Sequence, residues 1–87
     1  MRAFEVHLNG KKICLGGIGE DGVLTVIVAS VKGEGRDELT LDFGGLISRT
    51  RENVAWLRQE ALHAGDEIRV RIVDSETTDE PIIQKEE

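Results

Sequence analysis

Four side chains near the N-terminus could do chemistry together. Asn9-Gly10 is a hairpin signal, because both central residues of a type I′ turn need positive φ. A two-residue loop there sets Glu5 opposite Cys14 and His7 opposite Lys12, with all four on one face of the hairpin. The same register sets Val6 opposite Ile13 and Phe4 opposite Leu15, which gathers the apolar side chains on the other face. Histidine beside a thiol and a carboxylate is the makings of a thiolate nucleophile or a three-ligand metal site. A nucleophilic cysteine needs an activating helix end or a deep cleft, and zinc needs a further ligand. The other histidine, His63, is far away in sequence. The expectation is an incidental buried thiol, with no catalytic residue and no metal.

Gly17-Ile18-Gly19-Glu20-Asp21-Gly22 matches the dinucleotide-binding G-x-G-x-x-G pattern, and Asp42 follows twenty residues on. That motif works when a helix N-terminus after the glycines receives the pyrophosphate. Here a β-branched run follows, and two carboxylates inside the loop repel phosphate. The segment reads as a glycine-rich turn, and no cofactor is expected.

Arg49, Arg51, Arg69 and Arg71 form a candidate patch for an anionic ligand, together with the glycine loops at 16–22 or 33–35. The competing reading pairs Arg69 and Arg71 across strands with acids such as Glu38 and Asp42. Trp56 is the candidate partner anchor. On a helical wheel it lies opposite Val54, Leu57 and Ala61, on a stripe with Glu52, Gln59 and His63. A tryptophan exposed on a polar helix face suits the centre of an interface. If the segment is extended, Trp56 shares a face with Val54 and belongs to the core; the C-terminal strand could also cover it. Trp56, Arg58, His63, Asp79 and Glu80 make up the expected partner-binding set.

These residues sit in a chain of 87 residues, too short for more than one domain. The net charge of −6 is unevenly placed: residues 1–43 carry −2, residues 44–73 carry +1 and residues 74–87 carry −5. A pI of about 4.9 argues against a nucleic-acid partner, which wants a basic face. The acids Asp74, Glu76, Asp79, Glu80, Glu86 and Glu87 could imitate a polyanion toward a basic protein. One cysteine allows no internal disulfide, and no apolar run reaches the length of a membrane span, so a cytoplasmic protein is expected.

The elements that must position the candidates follow from periodicity. Residues 4–8 and 11–15 alternate as a hairpin. Val23 to Val31 is apolar on both faces except at Thr25 and Ser30, which predicts a central strand covered on both sides. Leu39, Leu41 and Phe43 alternate with polar residues, and Gly44-Gly45 ends or kinks that strand. Thr50 to Leu62 predicts a helix, with Ser48 or Thr50 as caps and Gly65 as a stop, although Val54-Ala55-Trp56 would also suit a strand. Ile68, Val70 and Ile72 alternate with Glu67, Arg69 and Arg71. Residues 74–87 form an acidic loop and an edge strand after Pro81.

Trp56 through Leu62, Gly65-Asp66-Glu67-Ile68 and on to Val73 resembles a segment of a group of small bacterial proteins. Asn9-Gly10-Lys11 and Asp21-Gly22-Val23-Leu24 belong to the same pattern. The resemblance implies a stand-alone bacterial protein and carries no activity.

The predicted fold is α+β: a partly rolled, mainly antiparallel sheet of five to six strands in the order β-β-β-β-α-β-β, with one helix. The expected function is a non-enzymatic protein-binding module, such as an inhibitor or immunity-like partner of a basic protein. Homodimerisation through a sheet edge or the Trp56 face goes with it, and binding of a small anionic molecule is the alternative.

Overall fold

A computed structural model describes the backbone of residues 1–86 and the side chains of residues 1–82. Seven strands follow one another: β1 (Arg2–Leu8), β2 (Lys11–Gly17), β3 (Gly22–Gly33), β4 (Arg36–Ile47), β5 (Glu52–Ala61), β6 (Ile68–Asp74) and β7 (Ile83–Glu86). They form two antiparallel sheets, in the orders β2-β1-β6 and β3-β4-β5-β7. The described residues contain no helix, so the architecture is all-β and the predicted α+β class is corrected.

The correction lies at residues 50–62. Their helix-forming residues are also compatible with extended backbone, and tertiary packing overrides so weak a preference. As strand β5, the segment turns Val54 and Trp56 into the core, where they are 7% and 5% exposed. A helix would have buried one of them and exposed the other. Positive φ at Arg51 (59°) and Gln59 (49°) takes the chain into β5 and bends it near its far end. The β5 strand also slips register against β4 on either side of Phe43, as bulged strands do.

The two sheets face each other over one core made of Val6 and Cys14 from the first sheet and Leu41, Phe43, Ile47, Val54 and Trp56 from the second. Phe4 of β1 stacks on Phe43 of β4, with ring centroids 6.2 Å apart. Gly16 of β2 lies against the Trp56 ring of β5. These contacts set β1 over β4 and β2 over β5. The molecule is thin, 16 Å in its shortest dimension, as two layers of sheet require.

Asn9 (φ 52°) and Gly10 (φ 81°) have the positive φ values that the hairpin turn demands. The turn is also tied down from outside. Asn9 Nδ2 donates to Asp66 Oδ1 at 3.0 Å, and Glu67 N donates to Asn9 Oδ1 at 2.9 Å, joining the first hairpin to the loop before β6. The expected register holds only beside the turn, where Leu8 faces Lys11 and His7 faces Lys12. A bulge then inserts Ile13 as an extra residue, so Val6 faces Cys14 and Glu5 faces Leu15. From Val6 onward the expected pairing is corrected by one position, which moves Cys14 from the outer face to the core.

The run Val23 to Val31 is also corrected. It belongs to β3, which is the edge of its sheet and is not covered on both sides. From Ile27 to Gly33, only Ala29 is even half-buried.

Candidate functional site

The most unusual surface of the molecule is the free edge of β3. Of the ten residues from Gly22 to Val31, none is charged and none is proline. The pairing with β4 runs from Gly22↔Ile47 to Gly33↔Arg36 without a bulge. Sheet edges are normally guarded by charge, proline, a bulge or a covering segment. The other edges of this molecule carry such guards. Residues 78–79 cover β2: Leu15 N donates to Asp79 Oδ2 at 2.8 Å, Asp79 N donates to the Leu15 carbonyl at 2.9 Å, and Gly17 N donates to Thr78 Oγ1 at 3.1 Å. The β6 edge carries exposed Arg69 and Arg71. Beside β7, Lys85 and Glu86 supply charge in the sequence. Among the described residues, β3 from Gly22 to Val31 has none of these protections, its one charge coming at Lys32 near its end, and it leaves Val23, Ile27 and Val28 more than half exposed.

An apolar groove continues from this edge across the outer face of the same sheet. Cross-strand pairing aligns Val23 with Leu46 and Asn53, and Thr25 with Gly44 and Ala55. With Leu57 and Arg58, these side chains surround an open groove of about 580 Å³, floored by Gly44 and Gly45. The missing side chain at Gly44, between Thr25 and Ala55, makes the face concave. Asp42 and Arg58 place one charge of each sign at its end. The surface is therefore apolar, strand-shaped and polar only at its margin.

The outer face of the other sheet is charged and internally paired. Glu5, 16% exposed, accepts a hydrogen bond from His7 Nε2 at 2.7 Å, with Lys12 Nζ and Arg71 NH1 both at 3.7 Å. The His7 hydrogen bond, followed by the nearby cations, holds the Glu5 carboxyl below its ordinary value of 4.5. Asp66 is lowered in the same way by the hydrogen bond from Asn9 and by that from the His63 backbone N–H. A carboxylate with a depressed folded-state pKa adds stability above the unfolded pKa and loses it as pH falls through the folded value. Glu5→Gln is thus expected to lower the melting temperature near neutral pH. The gap from wild type should close as pH falls below the carboxylate range. Paired thermal melts across pH check this, and a gap that does not change with pH would refute it.

Cys14 is absent from that charged face. Buried in the core, and with the Asp79 carboxylate nearby, its thiol is pushed up to about 11. At neutral pH it is protonated, and His7 is on the opposite side of the sheet, so the expected juxtaposition of Cys14 with His7 and Glu5 does not form.

The remaining sequence candidates disperse. Trp56 is buried, and its Nε1 donates to the Asp79 carbonyl at 2.8 Å. Its expected exposure falls with the helix. Asp79 is exposed but tied to Leu15 N by its carboxylate and to Trp56 Nε1 by its carbonyl, and Glu80 is exposed. His63 is exposed at the end of β5, 3.9 Å from Asp66. Arg58 alone of the expected partner-binding set lines the groove. Glu86 and Glu87 lie outside the described side chains.

The four ligand-candidate arginines are split between the sheets. Arg49 and Arg51 sit in the turn before β5, with Arg49 donating to Glu20 at 3.2 Å. Arg69 and Arg71 lie on β6, and Arg71 meets Glu5. Their expected partners have other bonds: Glu38 binds Arg36, and Asp42 accepts from Gln59 N at 3.0 Å. The glycine-rich segment leads into strand β3 rather than a helix. The described residues contain no helix long and apolar enough to cross a membrane.

Fold and site together define an all-β, two-sheet protein with one unguarded strand edge. Compared with family models, with curated proteins and with solved structures, the chain matches none.

Proposed function

We propose that this chain is a non-enzymatic, cytoplasmic protein-binding module that captures an extended segment along the free edge of β3. The observation that carries the proposal is the uncharged, unbulged stretch of β3 from Gly22 to Val31, with Val23, Ile27 and Val28 exposed beside an apolar groove. Adding a strand to such an edge satisfies backbone donors and acceptors, while alternate side chains of the incoming segment enter the groove. The one thiol, buried and protonated, suits a binding rather than a catalytic role. Recognition by the edge is favoured over recognition by the acidic tail, because Asp79 is committed to internal bonds. An anionic ligand would need arginines gathered in one place, and here they are apart.

A display screen of random extended peptides against the folded protein tests the proposal. Enriched peptides should alternate β-branched or aromatic residues with polar ones, and Ile27→Lys should abolish their capture while leaving circular dichroism unchanged. Ile27 is half-exposed on the outer face, so the lysine has room. No enrichment by the monomeric chain, at a concentration where sedimentation shows one copy, or enrichment indifferent to Ile27→Lys, would refute edge recognition.

A further inference from the structure

We infer that the segment captured by β3 is β3 of a second copy, giving a two-fold homodimer with one continuous sheet. The inference rests on the edge-binding reading above and names its occupant. An antiparallel pair around a two-fold axis perpendicular to the sheet keeps each residue on its own face, so one residue must sit opposite its own copy. Placing Ile27 on the axis sets Val23 opposite the partner's Val31, and Val31 opposite the partner's Val23. On the inner face, Val26 and Val28 then meet the partner's Val28 and Val26. Every exposed β-branched apolar side chain of the strand, Val23, Ile27, Val28 and Val31, thereby gains a β-branched partner. Such cross-strand pairs are the units that stabilise antiparallel sheets.

Charge agrees with this arrangement. Asp21 precedes the strand, and Lys32 is its eleventh residue. The Ile27 register sets Lys32 of each copy opposite the partner's Gly22, next to the partner's Asp21, twice over. Among the described residues, Asp21 and Lys32 make no ion pair within the chain. The net charge of −6 would oppose association elsewhere on the surface, but the paired stretch itself is uncharged.

The open side of the sandwich agrees as well. On β6, the inward-facing Val70 and Ile72 pair with Val6 and Phe4 of β1. Both stay exposed, Ile72 at 69%. A second β3 laid beside the first extends the lower sheet on this same side of the sandwich, toward Val70 and Ile72. The dimer would thus close a side of the core that the single chain leaves open.

Sedimentation equilibrium of the full chain should give twice its 9.6 kDa mass, and Ile27→Lys should return it to monomer with its fold intact. The register has its own test. Ile27→Cys should form a symmetric disulfide under mild oxidation. Val23→Cys should not link to itself, but should link to Val31→Cys when the two are mixed; buried Cys14 supplies no background. A wild-type monomer at every concentration would overturn the second copy, while the peptide screen would still decide edge recognition independently. A dimer indifferent to Ile27→Lys but dissociated by Ile72→Lys would place the contact on β6 and overturn the inference too.

Discussion

Trp56→Ala is expected to bring the chain to the margin of folding at room temperature rather than to disarm a binding surface. The Trp56 ring is 5% exposed and packs on Phe43 with centroids 4.9 Å apart at 32°. The fused bond of its indole forms the wall against which Gly16 lies, and its Nε1 holds the strap at Asp79. Truncating a buried aromatic costs about 3–5 kcal/mol. A domain of this size has a total stability near the lower end of the usual range, about 5 kcal/mol. Urea melts followed by circular dichroism should therefore show Trp56→Ala with little or no folded baseline. Trp56→Phe keeps a ring on Phe43 and loses the bond to Asp79, so its midpoint should fall between the two. A Trp56→Ala melt within about 1 kcal/mol of wild type would mean that the ring is not part of the core.

Gly16→Ala is expected to be nearly as damaging, although it adds only a methyl group. A Cβ at this position would lie 2.5 Å from Trp56 Cδ2, 2.7 Å from Cε2 and 2.8 Å from Phe43 Cζ. All three are well inside contact distance. The rings have no room to retreat, since they stack on each other and the Trp56 nitrogen is bonded to the strap. Overpacking of this kind costs about 3 kcal/mol. The clash also predicts a coupling. In a Trp56→Phe background the smaller ring frees space, so Gly16→Ala should cost clearly less there than in wild type. Equal costs in the two backgrounds would show that Gly16 is needed for its backbone rather than for the ring beside it.

These two substitutions meet where the sequence reading and the structure diverge. The stretch from Thr50 to Leu62 has residues acceptable to a helix and to a strand, and its wheel put Trp56 opposite Val54. What decides between them is the partner surface. Gly16 on β2 offers a flat face only a ring can fill, and Phe43 on β4 offers another. Extended backbone lets Val54 and Trp56 reach both. None of that surface is local to residues 50–62.

The charged hairpin face shows the same dependence at smaller scale. Asn9-Gly10 sets the turn, and the first two pairs beside it follow from the turn alone. Beyond them, Ile13 bulges out so that Cys14 and Gly16 can enter the core beneath β5. The shift by one residue took Cys14 away from His7 and removed the one constellation that resembled a nucleophile.

Strand β3 marks the limit from the other side. Ten uncharged residues with β-branched side chains on both faces describe equally a strand buried in the middle of a sheet and a strand awaiting a partner at its edge. The local pattern is the same, because composition and alternation do not say which neighbours a strand has. Only the order of strands, with β4 on one side and no described strand on the other, separates them.

By itself, then, the sequence determined what depends on neighbours along the chain. This includes the Asn9-Gly10 turn with its positive φ, the alternation of Leu39, Leu41 and Phe43 and that of Ile68, Val70 and Ile72, and the acidity of the last residues. Tertiary structure alone decided that residues 52–61 are extended, that Cys14 and Trp56 are core, that the arginines are dispersed and that β3 is an open edge. Each of these depends on burial against residues distant in sequence, and burial free energy outweighs the few tenths of a kcal/mol by which local preferences differ, on the order of 1.5–3 kcal/mol for each large side chain.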